Sequence, residues 1–113
     1  RVWSSEESTA WTVIYEDDIG FRPSCLNRFV YVKPCPDLGR ALQAAEVMHG
    51  RVSTVGVAAN EGRMQELAVQ LARWGVTRVC PLGRMQEPPL TWRHDGRPAL
   101  ADLITWTDLE LGS

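Results

Sequence analysis

The chain has 113 residues, of which 44% are hydrophobic and 23% are charged, and its formal net charge is −2 at pH 7. This length suits a single domain or a fragment of one, and the mixed charges argue against a dedicated nucleic-acid-binding surface. No apolar run approaches the roughly 20 residues of a membrane span, and residues 1–9 lack a signal-peptide core, so we expect a cytoplasmic protein without a membrane span.

The cysteines are odd in number and widely spaced: Cys25, Cys35 and Cys80. This usage favours free thiols in a reducing compartment over a disulfide framework. No Cys-x-x-Cys motif or cluster of cysteine and histidine occurs, so no metal site is expected. The chain begins with Arg1 rather than methionine, within ordinary folded sequence, which suggests a processed product or a fragment.

Residues 11–15 are β-branched or aromatic and predict a first strand, followed by a loop that runs to Asn27. A second strand is predicted over residues 28–33, where Pro34 stops it. Asp37 is the expected N-cap of a helix.

That first helix shows apolar residues at spacings of three and four from Leu38 to Met48, and Gly50 supplies its C-terminal stop.

Residues 52–59 form a nearly continuous apolar run, typical of a strand that is covered on both faces in a parallel sheet. Asn60 is the candidate N-cap of a second helix, which Gly75 ends, and residues 76–81 predict a further strand. The order over residues 28–81 is β-α-β-α-β, which predicts an α/β fold with a parallel-sheet core. We expect the strand valines to be buried, namely Val30, Val32, Val55, Val57 and Val79.

Residues 82–98 contain prolines and glycines among polar and aromatic residues and predict a long irregular loop. Loops of this length in compact domains are usually functional or disordered, and the presence of Trp92 favours function. Residues 99–103 are expected to form one or two helical turns. Residues 104–109 alternate in polarity, which predicts a final strand.

Two loops hold the candidate chemistry, residues 20–28 and 82–98, because α/β sheets place ligands at the ends of their strands. Cys25 lies near two arginines that favour a thiolate, but no base is near in sequence, so a structural or substrate-contact role is favoured over catalysis. His94 precedes Asp95, which either orients the imidazole or belongs to an Asp-Gly turn. Glycine-rich phosphate-binding motifs are absent.

The C-terminal part of the sequence contains three characteristic segments: residues 75–85, the Pro88-Pro89 pair and residues 94–103, which begin with His-Asp-Gly. These segments resemble the end of the bioluminescence-type (LuxC) acyl-CoA reductases. Residues 11–15 and the Asn-Arg pair at 27–28 also look like that family, so the resemblance covers nearly the whole chain.

The resemblance implies the C-terminal part of an aldehyde-dehydrogenase-like catalytic domain. In such enzymes a cysteine thiolate attacks a fatty acyl-CoA thioester, and NADPH then reduces the acyl-enzyme to an aldehyde. The resemblance places that cysteine N-terminal to this region, so no catalytic residue is expected here. The implied partners are the remainder of the parent enzyme and further copies in a homo-oligomer.

The resemblance also assigns binding roles to the two loops. Ser24, Cys25 and Asn27 occupy the segment that lies against the nicotinamide ribose, although the superfamily's glutamate is missing from it. Trp92 and His94 lie in the loop that lines the acyl tunnel. Two other hypotheses remain: a stand-alone α/β module that binds a ligand or a protein, and a chain in which Cys25 is a redox or transfer nucleophile.

Overall fold

The computed structural model describes residues 1–25, 27–98, 100 and 103–110. The chain divides into two compact units, Arg1–His49 and Gly50–Ser113. The strands and α-helices of the described residues are β1 Val2–Ser4, β2 Thr12–Tyr15, β3 Phe29–Val32, α1 Leu38–Ala44, β4 Thr54–Val57, α2 Glu61–Arg73 and β5 Arg78–Pro81. Two short 3₁₀ helices lie at Glu46–Met48, between α1 and β4, and at His94–Gly96, after β5.

The first unit contains a mixed three-stranded sheet in the order β1-β2-β3. Strand β1 is antiparallel to β2, with Trp3 opposite Val13, and β2 is parallel to β3, with Val13 opposite Val30. The connection over residues 16–28 has the dozen or so residues that a parallel crossover needs. The sequence had not predicted β1, whose three residues are all exposed.

The predicted single β-α-β-α-β sheet over residues 28–81 is wrong in its connectivity. Strand β3 pairs with β2, whereas β4 and β5 form a separate two-stranded sheet. The backbone of β3 thus finds its parallel partner in the strand before it rather than in β4. The α/β character and the parallel β4-α2-β5 arrangement are confirmed.

The burial predicted for the strand valines fails in the first unit. Val30 is 49% exposed and Val32 43% exposed, because they lie on the face of β3 opposite to the half-buried Phe29 and Tyr31. In the second unit Val55, Val57 and Val79 are half-buried rather than fully buried. The first sheet therefore presents one apolar face that the described residues of its unit leave exposed.

Both predicted helix N-caps are confirmed. The carboxylate of Asp37 accepts a hydrogen bond from the Arg40 amide at 2.8 Å, and the side-chain oxygen of Asn60 accepts one from the Arg63 amide at 2.9 Å. Helix α1 ends at Ala44, short of the predicted stop at Gly50, because the chain tightens into the 3₁₀ turn that follows.

The core of the second unit lies between α2 and β5. Its buried apolar residues are Leu71, Val76 and Cys80, with exposures of 3%, 5% and 8%. Gly75 ends the helix with a φ of 101°, a left-handed conformation that glycine adopts without steric cost. The predicted C-cap signal and the burial of Cys80 are therefore confirmed.

The predicted C-terminal strand over residues 104–109 is wrong. Residues 104–110 form no strand, and Ile104, Trp106 and Leu109 are 53%, 81% and 80% exposed. Alternating polarity cannot make a strand where no neighbouring strand accepts its hydrogen bonds. The helical turns predicted over residues 99–103 fall mostly outside the described residues. Neither α-helix in the described part of the chain has the length and apolar character that crossing a bilayer requires.

Candidate functional site

The cleft loop, residues 82–93, follows β5 in the second unit and is tied back to that strand by Arg78. One guanidinium nitrogen of Arg78, Nη1, donates to the Met85 carbonyl at 2.8 Å, and Nη2 donates to the Arg84 carbonyl at 2.9 Å. The loop also packs against β4, where Met85 lies close to Gly56. A loop predicted to be irregular is thus held against the sheet.

The two predicted substrate residues, Trp92 and His94, are in contact with each other. Their ring centroids are 4.7 Å apart and their planes are tilted by 55°. The Arg78 guanidinium lies 5.5 Å from the centroid of the Trp92 ring, within the range of a cation–π interaction. The structure therefore joins β5, Trp92 and His94 into one cluster.

His94 and Asp95 are directly paired. The Nδ1 atom of His94 lies 3.0 Å from the Oδ2 atom of Asp95. Asp95 adopts a left-handed backbone with a φ of 50°, as an Asp-Gly turn allows. Both features predicted for His-Asp-Gly are therefore present: the Asp95 carboxylate contacts the imidazole, and the segment forms a turn. The His94 side chain is 72% exposed, so its ring faces solvent.

A cleft of about 590 Å³ lies between β5 and the cleft loop. Arginine, proline and tryptophan side chains dominate its lining, which comprises residues 78–81, Arg84, Glu87, Pro88, Pro89 and Trp92. Trp92 also lines a smaller cleft of about 270 Å³ together with Leu90 and Pro98. His94 lines neither of these two clefts and instead supports Trp92 from outside.

Arg78 is a residue of this cluster that was not among the predicted site residues. Its signal was present: a permanently charged residue stands inside a strand that is otherwise apolar, between Thr77 and Val79. Such a charge must find partners when it is partly buried, and here the partners are two backbone carbonyls and an aromatic face.

The predicted cofactor residues lie on the loop before β3 in the first unit. The Ser24 hydroxyl donates a hydrogen bond to the Phe29 carbonyl, so it fastens the loop to the strand. Cys25 and Asn27 are exposed. Arg28 has a φ of 60°, which marks a tight turn as the chain enters β3.

An ion-pair network holds the start of the same loop. Lys33 Nζ lies 2.7 Å from Glu16 Oε2 and 2.8 Å from Asp18 Oδ1, and only 14% of the Lys33 side chain is exposed. The hydrogen bond from Lys33 lowers the pKa of Asp18, and the bonds to Asp18 and Glu16 raise the pKa of Lys33. Two acidic residues of this loop therefore hold a lysine directly after the end of β3.

Arg22 extends this network across the loop. It pairs with Glu16 at 3.1 Å, and its guanidinium lies 5.6 Å from the centroid of the Tyr31 ring. Its charge is therefore already engaged within the first unit.

The three cysteines have different surroundings. Cys80 is buried in the core of the second unit. Cys35 is exposed, and its thiol donates to the Asp37 carbonyl at 3.2 Å. Cys25 is exposed and, among the described residues, makes no hydrogen bond or ion pair with a base. No group of three or more potential metal ligands occurs in the described part of the chain.

The comparison with protein families decides the relationship. The family model of acyl-CoA reductase (LuxC) matches residues 1–106. The chain belongs to the LuxC acyl-CoA reductase family. No curated protein and no solved structure gives a significant match. Membership in this family implies fatty acyl-CoA reductase activity, and LuxC reductases generally use NADPH.

Proposed function

We propose that this chain forms part of an NADPH-dependent reductase that converts a fatty acyl-CoA thioester to an aldehyde. In this proposal the chain contributes to the substrate and cofactor pockets and does not supply the nucleophile. The observation that carries it is the LuxC match over residues 1–106, which includes the cleft loop with Trp92.

The composition of the larger cleft suits a ligand with an apolar chain and a charged end. Trp92, Pro88 and Pro89 offer apolar surface, while Arg84 and Glu87, which pair with each other at 3.3 Å, add charged groups to the lining. An acyl-CoA combines an alkyl chain with phosphate groups, and apolar pockets with a few polar groups are typical of such sites. We assign Trp92 to the wall of the acyl site and His94 to the support of that wall.

The loop before β3, which carries Ser24, Cys25 and Asn27, offers a partial fit to NADPH. Cys25 and Asn27 are exposed and free to reach the hydroxyls of a nicotinamide ribose, and an amide side chain can both donate and accept hydrogen bonds. The Ser24 hydroxyl already donates to the Phe29 carbonyl, so we assign it to the shape of the loop. When bound, NADPH supplies the hydride that reduces the acyl group.

The proposed nucleophile is a cysteine elsewhere in the parent enzyme. Its thiolate attacks the acyl-CoA carbonyl and displaces the coenzyme A thiol, leaving an acyl-enzyme. The environments of Cys25, Cys35 and Cys80 support this assignment, because a reactive thiolate needs an exposed position and a nearby base or cation. Cys80 is buried, and no base contacts the other two thiols in the described part of the chain.

The exposed apolar face of the first sheet supports a larger assembly. Trp3, Val30 and Val32 share one face of the sheet, and each is more than 40% exposed. Exposed contiguous apolar surface of this kind commonly marks an interface. The proposed occupants are the remainder of the reductase and further copies in a homo-oligomer, assembled in the cytoplasm.

Steady-state kinetics of the reductase that contains this chain test the proposal. We expect Trp92→Ala to raise the KM for acyl-CoA by up to about tenfold, since one such aromatic contact is worth up to about 1.5 kcal/mol. The matched control is Trp106→Ala, because Trp106 is 81% exposed and lies outside both clefts. An unchanged KM in Trp92→Ala, or NADPH oxidation that does not depend on acyl-CoA, would contradict the proposal.

A further inference from the structure

Arg78 makes its contacts to three separate points of the cleft loop. It donates to the carbonyls of Arg84 and Met85 at 2.9 and 2.8 Å, and its guanidinium lies over the ring of Trp92. The Arg78 side chain therefore connects strand β5 to the cleft loop. Because the guanidinium is planar, these contacts fix the distance between β5 and the loop as well as the direction of the Trp92 ring.

Among the described residues, the Trp92 ring finds no hydrogen bond that would orient it. Its Nε1 atom is inaccessible to solvent and has no hydrogen-bond partner among the described residues. A buried indole N–H usually finds a partner, so its orientation here depends on contacts of the ring faces. Those contacts come from Arg78 and His94, and Arg78 is the one anchored to the sheet.

We propose that Arg78 is a positioning residue for the acyl-CoA cleft, holding Trp92 and the cleft loop in the geometry that receives the acyl group. This inference rests on the proposed function of the cleft. Arg78 lines the cleft, and each of its two terminal guanidinium nitrogens donates a hydrogen bond to a backbone carbonyl. Through these bonds and its contact with the Trp92 ring, it acts on the substrate by way of Trp92 and the loop.

Lysine cannot replace arginine in this role. A lysine ammonium is a point charge without a planar face, so it cannot donate to two carbonyls in a fork and stack on Trp92 at once. Arg78→Lys therefore removes the positioning and keeps the charge. Arg78→Met removes both, and the comparison separates geometry from electrostatics.

A double-mutant cycle between Arg78 and Trp92 in the reductase tests the inference. We expect Arg78→Lys and Arg78→Met each to raise the KM for acyl-CoA about tenfold while kcat changes about twofold or less. Adding Trp92→Ala to either variant should then raise KM little further, because both substitutions remove the same wall. The control is Arg63→Met, whose exposed side chain on α2 pairs with Glu66 at 2.8 Å.

A spectroscopic measurement separates this inference from the proposed function. With 5-fluorotryptophan incorporated, Trp92→Phe identifies the Trp92 resonance in the ¹⁹F spectrum by its disappearance. We expect Arg78→Lys to shift that resonance and Arg63→Met to leave it in place. An unmoved Trp92 resonance in folded Arg78→Lys, or fully additive KM effects, overturns the positioning role. An unchanged KM in Trp92→Ala alone overturns the proposed function of the cleft instead.

Discussion

Gly56 on β4 lies directly against Met85 of the cleft loop. A Cβ atom at Gly56 would stand 2.6 Å from Met85 Sδ and 3.1 Å from Leu82 Cδ1, both closer than van der Waals contact allows. Gly56 pairs with Cys80 in the register of the β4–β5 sheet, so this close approach lies over the core of the second unit. Glycine at this strand position thus lets the loop pack on the sheet.

Gly56→Ala should therefore destabilise the protein by roughly 1 kcal/mol, since the added methyl group must displace the side chains of Met85 and Leu82. Chemical denaturation of both proteins measures the difference in the free energy of unfolding. Gly62→Ala is the matched control, because the nearest atom to its Cβ is Asn60 Oδ1 at 3.9 Å. In helix α2 that substitution should stabilise by about 0.5–1 kcal/mol. Equal effects of the two substitutions would contradict the packing at Gly56.

The pair between Asp18 and Lys33 predicts a pH-dependent stability. The hydrogen bond from Lys33 lowers the pKa of Asp18 in the folded state below its unfolded value of about 3.9. The contribution of Asp18 is therefore present above that value and is lost as the pH falls through the folded pKa. Asp18→Asn should lower the unfolding free energy by a constant amount from about pH 5 to neutrality, and the gap should close in acid.

Thermal or urea unfolding of the wild type and Asp18→Asn between pH 2 and 7 measures that gap. The control is the same comparison in a Lys33→Met background, where Asp18 keeps the hydrogen bond from the Gly20 amide but loses the lysine, so the gap above pH 5 should shrink. A gap that persists unchanged in acid would show that Asp18 acts through its shape rather than its charge.

The local elements were predictable because their signals are short in range. Asp37 and Asn60 are followed by amphipathic periods, and capping needs only a side chain and an amide three residues later. The β4-α2-β5 unit was equally accessible, since its strands are apolar and its helix ends at a glycine.

The pairing of β3 could not be predicted from such signals. The strand that β3 pairs with is determined by contacts between residues distant in sequence. The polarity pattern of residues 28–33 is compatible with pairing to either β2 or β4. The exposure of Val30 and Val32 follows from that pairing, because this face of the sheet is left uncovered within its unit. The prediction of a strand over residues 104–109 was wrong for a similar reason, because alternating polarity produces a strand only where a partner strand is available.

For the site, the sequence placed Trp92 and His94 in one loop but gave no means of seeing their contact with Arg78. Arg78 is 14 residues from Trp92 along the chain, and only the return of the cleft loop over β5 brings them together. The permanent charge inside an apolar strand was the one local sign of a partner.

The exposed apolar face of the first sheet predicts that the isolated chain self-associates. Trp3, Val30 and Val32 lie on that face, and burying apolar surface releases roughly 25 cal/mol per Å². Static light scattering should show a mass that rises with protein concentration. Val30→Thr combined with Val32→Thr should reduce it, whereas Val69→Thr on α2, where Val69 is 51% exposed, should not. A concentration-independent monomer that binds no hydrophobic dye would contradict the prediction.

Cys25 separates the proposed reductase role from the hypothesis of a redox or transfer nucleophile. If Cys25 only borders the cofactor, Cys25→Ser in the parent reductase should still form an acyl-enzyme, because the nucleophile lies elsewhere. The change should then appear mainly in the KM for NADPH. If Cys25 were the nucleophile, serine would abolish acylation, since a hydroxyl without a partner base is far less ionised than a thiol near neutral pH. Incubation with radiolabelled acyl-CoA in the absence of NADPH, followed by counting of protein-bound label, distinguishes the two.

Cys35→Ser is the matched control, because Cys35 is also an exposed thiol of the first unit. Loss of label in folded Cys25→Ser, with label retained in Cys35→Ser, would identify Cys25 as the nucleophile.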